Sequence, residues 1–246
     1  MNHNAPTPTN QSSAEIAALI IDYFHRTLMH HAMWFAQVQQ RLGREKAWEI
    51  MEKAYTLSYD IQMKRLSKLL GFEMQDGLPL PLLSKTTQEL TSLKESVAIN
   101  WLAMDGVWFQ AVENAFGMAE AKHCNDSAWG QFSPFEAWSI ARLLQLPENP
   151  GLEGLKQALQ LRLYASINTQ EIANETPDSF EFRMLDCRVQ SARKRKGLND
   201  YPCKSGGIIE YSTFAQAIDD RIKTECLSCP PDTHPEGWYC AWRFFL

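Results

Sequence analysis

Apolar and aromatic residues recur at three- and four-residue spacing through Ile16, Ile20, Tyr23, Phe24, Leu28, Phe35, Val38 and Leu42, with His31 in phase. That period predicts a helix. Ser12-Ser13-Ala14-Glu15, just before it, has the spacing of a capping box, and Gly43 is a natural stop. A second helix is expected from about Arg44 to Leu70, then a linker over Asp76-Gly77-Leu78-Pro79-Leu80-Pro81. Thr86-Thr87-Gln88-Glu89 repeats the capping-box spacing and opens a long helix ending near Gly117. Ser133-Pro134-Phe135-Glu136 has it a third time, with proline at the first helical position, and predicts a new helix that ends before Pro147.

These elements contain a repeat offset by 74 positions. Trp34-Phe35 matches Trp108-Phe109, Val38 matches Val112, Leu42-Gly43 matches Phe116-Gly117, and Ala47 matches Ala121. Each copy reads as a long helix, a glycine stop and a second helix, so two helical hairpins forming a bundle are expected. The Trp-Phe pairs are expected mainly in a core, where large aromatics dominate packing. Trp34 and Trp108 are also candidate ligand-binding residues.

After Pro150 the pattern changes. A short helix over residues 151–160 precedes two alternating stretches, Leu161 to Ile167 and Phe180 to Met184, which read as strands of one hairpin. Cys187 to Lys196 reads as a helix ended by Gly197, and about Ile208 to Ile218 as another. Arg221 to Cys226 and Trp238 to Phe244 complete four strands. The fold class expected is α+β: an N-terminal helical bundle from two repeated hairpins, and a small C-terminal antiparallel sheet with helices on one face. The expected organisation is a disordered tail (1–12), a helical repeat region (13–150) and a cysteine-rich α+β domain (151–246).

Composition narrows the function. A net charge of −5 argues against broad nucleic-acid binding, which needs phosphate-neutralising cations. Residues 1–11 lack the apolar core of a secretory signal, and no apolar run has the length of about 18 residues that a membrane span needs. A soluble, cytoplasmic protein is expected. Its partners would be a small-molecule ligand or substrate, with a homodimer as a further option, and neither nucleic acid nor membrane.

Thiols are the most concentrated candidate chemistry. Five of the six cysteines lie between positions 187 and 240. Thiols in a reducing compartment are free, metal-bound or catalytic rather than disulfide-bonded. Cys226-x-x-Cys229 has the spacing of a zinc knuckle or a redox pair. Cys187, Cys203, His234 and Cys240 stand at irregular spacing around it, and any four of these residues could complete a tetrahedral metal site, against the alternative that Cys187 and Cys240 are small buried hydrophobes. Cys187 at a helix start near Arg193 should have a lowered pKa, although Asp186 opposes that. Gln190 and Arg193 on that helix are candidate ligand-binding residues. His31 and Asp105 occupy equivalent repeat positions and could serve as acid and base, or else be ordinary helix residues. Gly206-Gly207, placed before a helix, could offer backbone N–H groups to an anion.

The layout of Cys187 at a helix start, Cys203, a helix, Glu225-Cys226 and a closing Cys240-x-Trp242-x-Phe244 strand resembles the L-2-amino-thiazoline-4-carboxylic acid hydrolase-like family. The two Trp-Phe-x-x-Val-x-x-x-x-Gly segments are similar to uncharacterised cytosolic relatives of that family. The closing Cys-x-aromatic hairpin is also similar to the ligand-binding domain named after 4-vinyl reductase. The resemblance implies hydrolysis of a C–N bond in a small cyclic or amidine-like compound. A thiolate, Cys187 or Cys203, would attack the ring carbon, or a metal drawn to Cys203, Cys226, Cys229 and Cys240 would activate water. His31 or His234 would move protons. The competing expectation is a non-enzymatic small-ligand sensor with a structural zinc held by cysteines.

Overall fold

A computed structural model describes residues 12–246, so the expected disordered tail lies outside the described residues except for Ser12. The chain divides into two compact units, Met1–Ser84 and Lys85–Leu246; Pro150 falls inside the second.

In the first unit, α1 (Ser13–Leu42) and α2 (Arg44–Leu70) form a helical hairpin. The capping box is realised: the Glu15 N–H donates to Ser12 Oγ at 3.3 Å, and the Ser12 N–H donates to Glu15 Oε2 at 2.7 Å. Among the described residues of this unit only Ala47 is buried. The expected linker instead folds into two short strands, β1 (Met74–Gln75) and β2 (Leu78–Pro79), followed by α3 (Leu80–Leu83). Asp76 and Gly77 both have positive φ, 50° and 79°, which is the twist a two-residue hairpin turn requires.

The second unit opens with a hairpin of the same dimensions. α4 (Thr87–Phe116) and α1 have 30 residues each, and α5 (Met118–Leu144) and α2 have 27 each. Gly43 and Gly117, at φ 84° and 89° with ψ near 170°, lie in a region that glycine alone adopts readily. A side chain at either position would strain the turn. Ala47 and Ala121, four residues after each glycine, are buried in both copies.

α5 runs unbroken through Pro134, so the third capping box does not form. Ser133 is fully buried and its hydroxyl has no hydrogen-bond partner, while Glu136 turns to Arg162. Burial of this helix face outweighs the local starting signal. The alternating stretch at 161–167 is likewise not a strand. After α6 (Gly151–Leu159) the chain makes a 3-10 turn at Leu163–Ser166, because Arg162 is drawn into the interior by two carboxylates.

The sheet is fully antiparallel, in the order β3 (Thr169–Thr176), β4 (Ser179–Asp186), β6 (Cys240–Phe245), β5 (Lys223–Ser228). α7 (Arg188–Arg195) follows β4, and α8 (Lys204–Ile218) precedes β5. The molecule is therefore α+β. Pairing in register sets Phe180 opposite Phe244, Phe182 opposite Trp242 and Met184 opposite Cys240. These six alternate positions make one apolar sheet face.

α8 packs against α5, α6 and β5 and is buried at Gly206, Gly207, Glu210, Tyr211, Phe214, Ala215 and Ile218. The glycine pair sits inside α8 rather than before it, so the expected anion-binding turn is absent. Its role is close approach. A Cβ at Gly207 would stand 2.8 Å from Trp242 Cζ2, whereas one at Gly106, in α4, would meet nothing within 4 Å. Gly207→Ala is therefore expected to lose about 1–3 kcal/mol of stability through overpacking. Gly106→Ala should gain roughly 0.5–1 kcal/mol from helix propensity. Thermal unfolding of the two variants checks both signs.

Candidate functional site

A cavity of about 320 Å³ lies within the second unit, between α4, α5, α7, α8 and the end of the sheet. Its walls are aromatic where Phe109, Trp129, Tyr164, Tyr211 and Trp242 face it, and acidic where Asp105, Glu113, Asp126 and Glu210 do. Lys122 and Arg193 are the basic residues lining it. Four of the tail cysteines also line it: Cys187, Cys203, Cys229 and Cys240. Several polar atoms on the wall are buried without a hydrogen-bond partner, among them Trp242 Nε1, Tyr201 Oη and Asp126 Oδ1. Unpaired buried polar atoms are costly.

Under one wall lies a buried charge cluster. Arg162, 2% exposed, donates from Nε to Glu136 Oε2 at 2.9 Å and approaches Glu210 Oε1 at 2.7 Å, the latter out of line for a hydrogen bond. Glu136 Oε1 accepts from the Leu163 N–H, and the guanidinium lies 4.7 Å from the Phe214 ring centroid. Two carboxylates thus share one cation. Burial raises the pKa of Glu210 from its ordinary value despite Arg162. Burial also raises Asp105. Each is a carboxyl group that can hold a proton at the cavity wall.

The sulfur chemistry centres on Cys203, the N-cap residue of α8. Its Sγ lies 3.5 Å from Cys229 Sγ and accepts from Gln190 Nε2 at 3.5 Å. Gln190 is 1% exposed and brackets the Tyr201 backbone, accepting its N–H at 2.8 Å and donating to its carbonyl at 2.9 Å. The Lys204 N–H donates to the Pro230 carbonyl at 2.9 Å, which ties the two cysteine segments together. The hydrogen bond from Cys229 holds the Cys203 thiol below the usual thiol pKa, against the burial that raises it, and drives the pKa of Cys229 up in turn. The negative charge belongs on Cys203, because Cys229 is the deeper sulfur and Gln190 donates to Cys203.

The other sequence candidates divide. Cys187 lines the cavity, but burial pushes its pKa up to about 12. The lowered pKa expected from its helix-start position is overturned, since loss of water outweighs a short helix's dipole. Asp186 instead accepts a hydrogen bond from Ser191. Gln190 and Arg193 do line the cavity. Cys226 does not, and burial pushes it up to about 11. Cys203, Cys229 and Cys240 share the cavity without Cys226; among the described residues, no group of three or more His, Cys, Asp or Glu is placed to hold a metal ion. His234 pairs with Asp200 at 3.0 Å outside the cavity lining; burial lowers its pKa, but Asp200 outweighs this and leaves it raised.

Asp105 faces the cavity from α4, while its repeat partner His31 is exposed on α1 of the first unit. Trp34 and Trp108 are 64% and 63% exposed, so neither is the core residue expected; Phe109 faces the cavity instead, 5.5 Å from Tyr201 edge to face. Sequence reasoning missed Glu210, Arg162, Tyr201 and Asp126. The signal for Glu210 was present: it stands two helical turns after Cys203, alone among apolar and small residues.

The chain matches a family of unknown function, DUF6125, over residues 9–87 and again over residues 82–246. It belongs to that family. The two matches start close to one repeat length apart, as a duplicated hairpin would produce. No curated protein and no solved structure matches the chain. In this DUF6125 protein, no helix among the described residues is long and apolar enough to cross a membrane.

Two measurements check the site. Arg162→Ala leaves two buried carboxylates without their cation and should cost about 3–5 kcal/mol in urea unfolding. Adding Glu136→Gln should recover part of that loss. Alkylation of Cys203 by iodoacetamide, followed against pH, should show a midpoint below the usual value of about 8.5. Cys229→Ala should move that midpoint upward, since the thiolate loses its donor.

Proposed function

We propose that this chain is a thiol-dependent hydrolase that opens a C–N bond of a small cyclic, amidine-like compound bound in the cavity. The observation that carries the reading is the Cys203–Cys229 pair: a sulfur at a helix N-terminus, 3.5 Å from a thiol donor, with its pKa lowered and its face on a ligand-sized space. In the proposed reaction the Cys203 thiolate adds to the carbon between the heteroatoms. The C–N bond breaks as the leaving nitrogen takes a proton from Glu210 or Asp105, the two cavity carboxyl groups whose proton affinity burial raises. Water then adds to the same carbon, gives its proton to the carboxylate and releases the sulfur. Gln190 positions Cys203, and the aromatic walls exclude bulk water.

A second reading is a binding protein without chemistry. It is favoured by the cavity itself, whose aromatic and acidic walls suit a bound polar ligand whether or not it reacts. In that reading a structural zinc on the cysteines remains part of the proposal.

The test uses the full chain with 2-amino-thiazoline-4-carboxylate and a panel of cyclic amidines, following the ring-opened product. Turnover is expected for at least one, with Cys203→Ser inactive but still binding. Glu210→Gln should lower kcat by about 10²- to 10⁴-fold if it is the proton donor. Undiminished turnover in Cys203→Ser would overturn the mechanism. Equal binding with no turnover in either chain would favour the binding reading, and elemental analysis of the same preparation reports zinc.

A further inference from the structure

We propose that Cys203 and Cys229 are an oxidative modification site: a hydroperoxide entering the cavity converts the pair into a disulfide that removes the Cys203 nucleophile. The cross-link itself rests on geometry alone; its effect on turnover rests on the hydrolase reading above. The two sulfurs stand 3.5 Å apart, so each need move less than an ångström to reach the disulfide length of about 2.0 Å. Side-chain rotation at the two cysteines can supply that movement while the backbone of Cys203, the N-cap of α8, stays in place. Cys229 is 1% exposed, the deeper of the two sulfurs, and is placed to act as the resolving thiol. Gly207 leaves room beside it, since a Cβ there would be 3.7 Å from Cys229 Sγ.

The chemistry balances in two steps. The Cys203 thiolate attacks one peroxide oxygen; the S–O bond forms, the O–O bond breaks, and the other oxygen leaves as water or alcohol after taking a proton. Sulfur is oxidised by two electrons and the peroxide is reduced. Cys229 sulfur then attacks the sulfenic sulfur; the S–S bond forms, the S–O bond breaks, and hydroxide leaves with the Cys229 proton as water. The other cavity thiols are poorer candidates for the first step. Burial raises Cys187 to about 12, and Cys240 is buried at the start of the central strand β6, paired with Met184 of β4.

The full-length reduced chain is treated with hydrogen peroxide and analysed by intact mass and peptide mapping. A loss of about 2 Da, reversed by dithiothreitol, with a cross-linked peptide joining Cys203 to Cys229, is the expected result. Cys229→Ser should leave Cys203 as a sulfenic acid trapped by dimedone, and Cys240→Ser should leave the cross-link intact. A Cys229–Cys240 cross-link, or Cys203 oxidised in the unsubstituted chain with Cys229 still free, would overturn the proposal. These covalent readouts do not depend on any substrate, so they stand apart from a failure to find turnover.

Discussion

A guanidinium sealed inside the second unit holds its parts in register. Arg162 leaves α6, passes between α5 and α8, and is met by Glu136 from one and Glu210 from the other. A buried cation without partners would be far costlier than any packing gain, so the chain can bury this loop only with both helices in place. The same cluster explains three local surprises together. α5 continues through Pro134, Ser133 does not cap, and the alternating stretch after Leu161 is a turn rather than a strand. Burial raises the proton affinity of the cavity wall at Glu210, and the negative charge of the second carboxylate adds to it.

α8 is the link between core and chemistry. Gly207 lets it lie against Trp242, and its aromatic and aliphatic face fills the space over β4 and β6. Because that packing fixes the helix, it also fixes the residue at its N-terminus. Cys203 is delivered to the cavity by a rigid element, while Gln190 and the Pro230 carbonyl secure the segments on either side. Reactivity is then sorted by depth and partner. Cys187 and Cys226 are disfavoured as thiolates by burial, while Cys203 gains a donor from Cys229.

The duplicated hairpin shows one sequence pattern in two settings. Both copies keep the glycine turn, the buried alanine and the capping box. In the second copy, α5 adds buried Trp129, Ala137 and Ile140, since α8 lies against it. In the first unit, Tyr55, the counterpart of Trp129, stays 56% exposed. Similar helices therefore acquire a core only where something covers them.

What lay open in the sequence was local. The periods of α1, α2, α4 and α8, the Ser12 and Thr86 caps, the repeat, the alternation of β4 and the gathering of thiols in the tail are written in neighbouring residues or in short spacings. Those signals reach only a few residues along the chain, and they were read correctly where no distant group competed. The tertiary structure decided which thiol gains a donor, which carboxyl groups burial pushes toward the protonated form, that Arg162 goes inside, and that Trp34 and Trp108 do not. These depend on dielectric surroundings and through-space partners, brought together by residues dozens of positions apart, and no period or spacing carries that information.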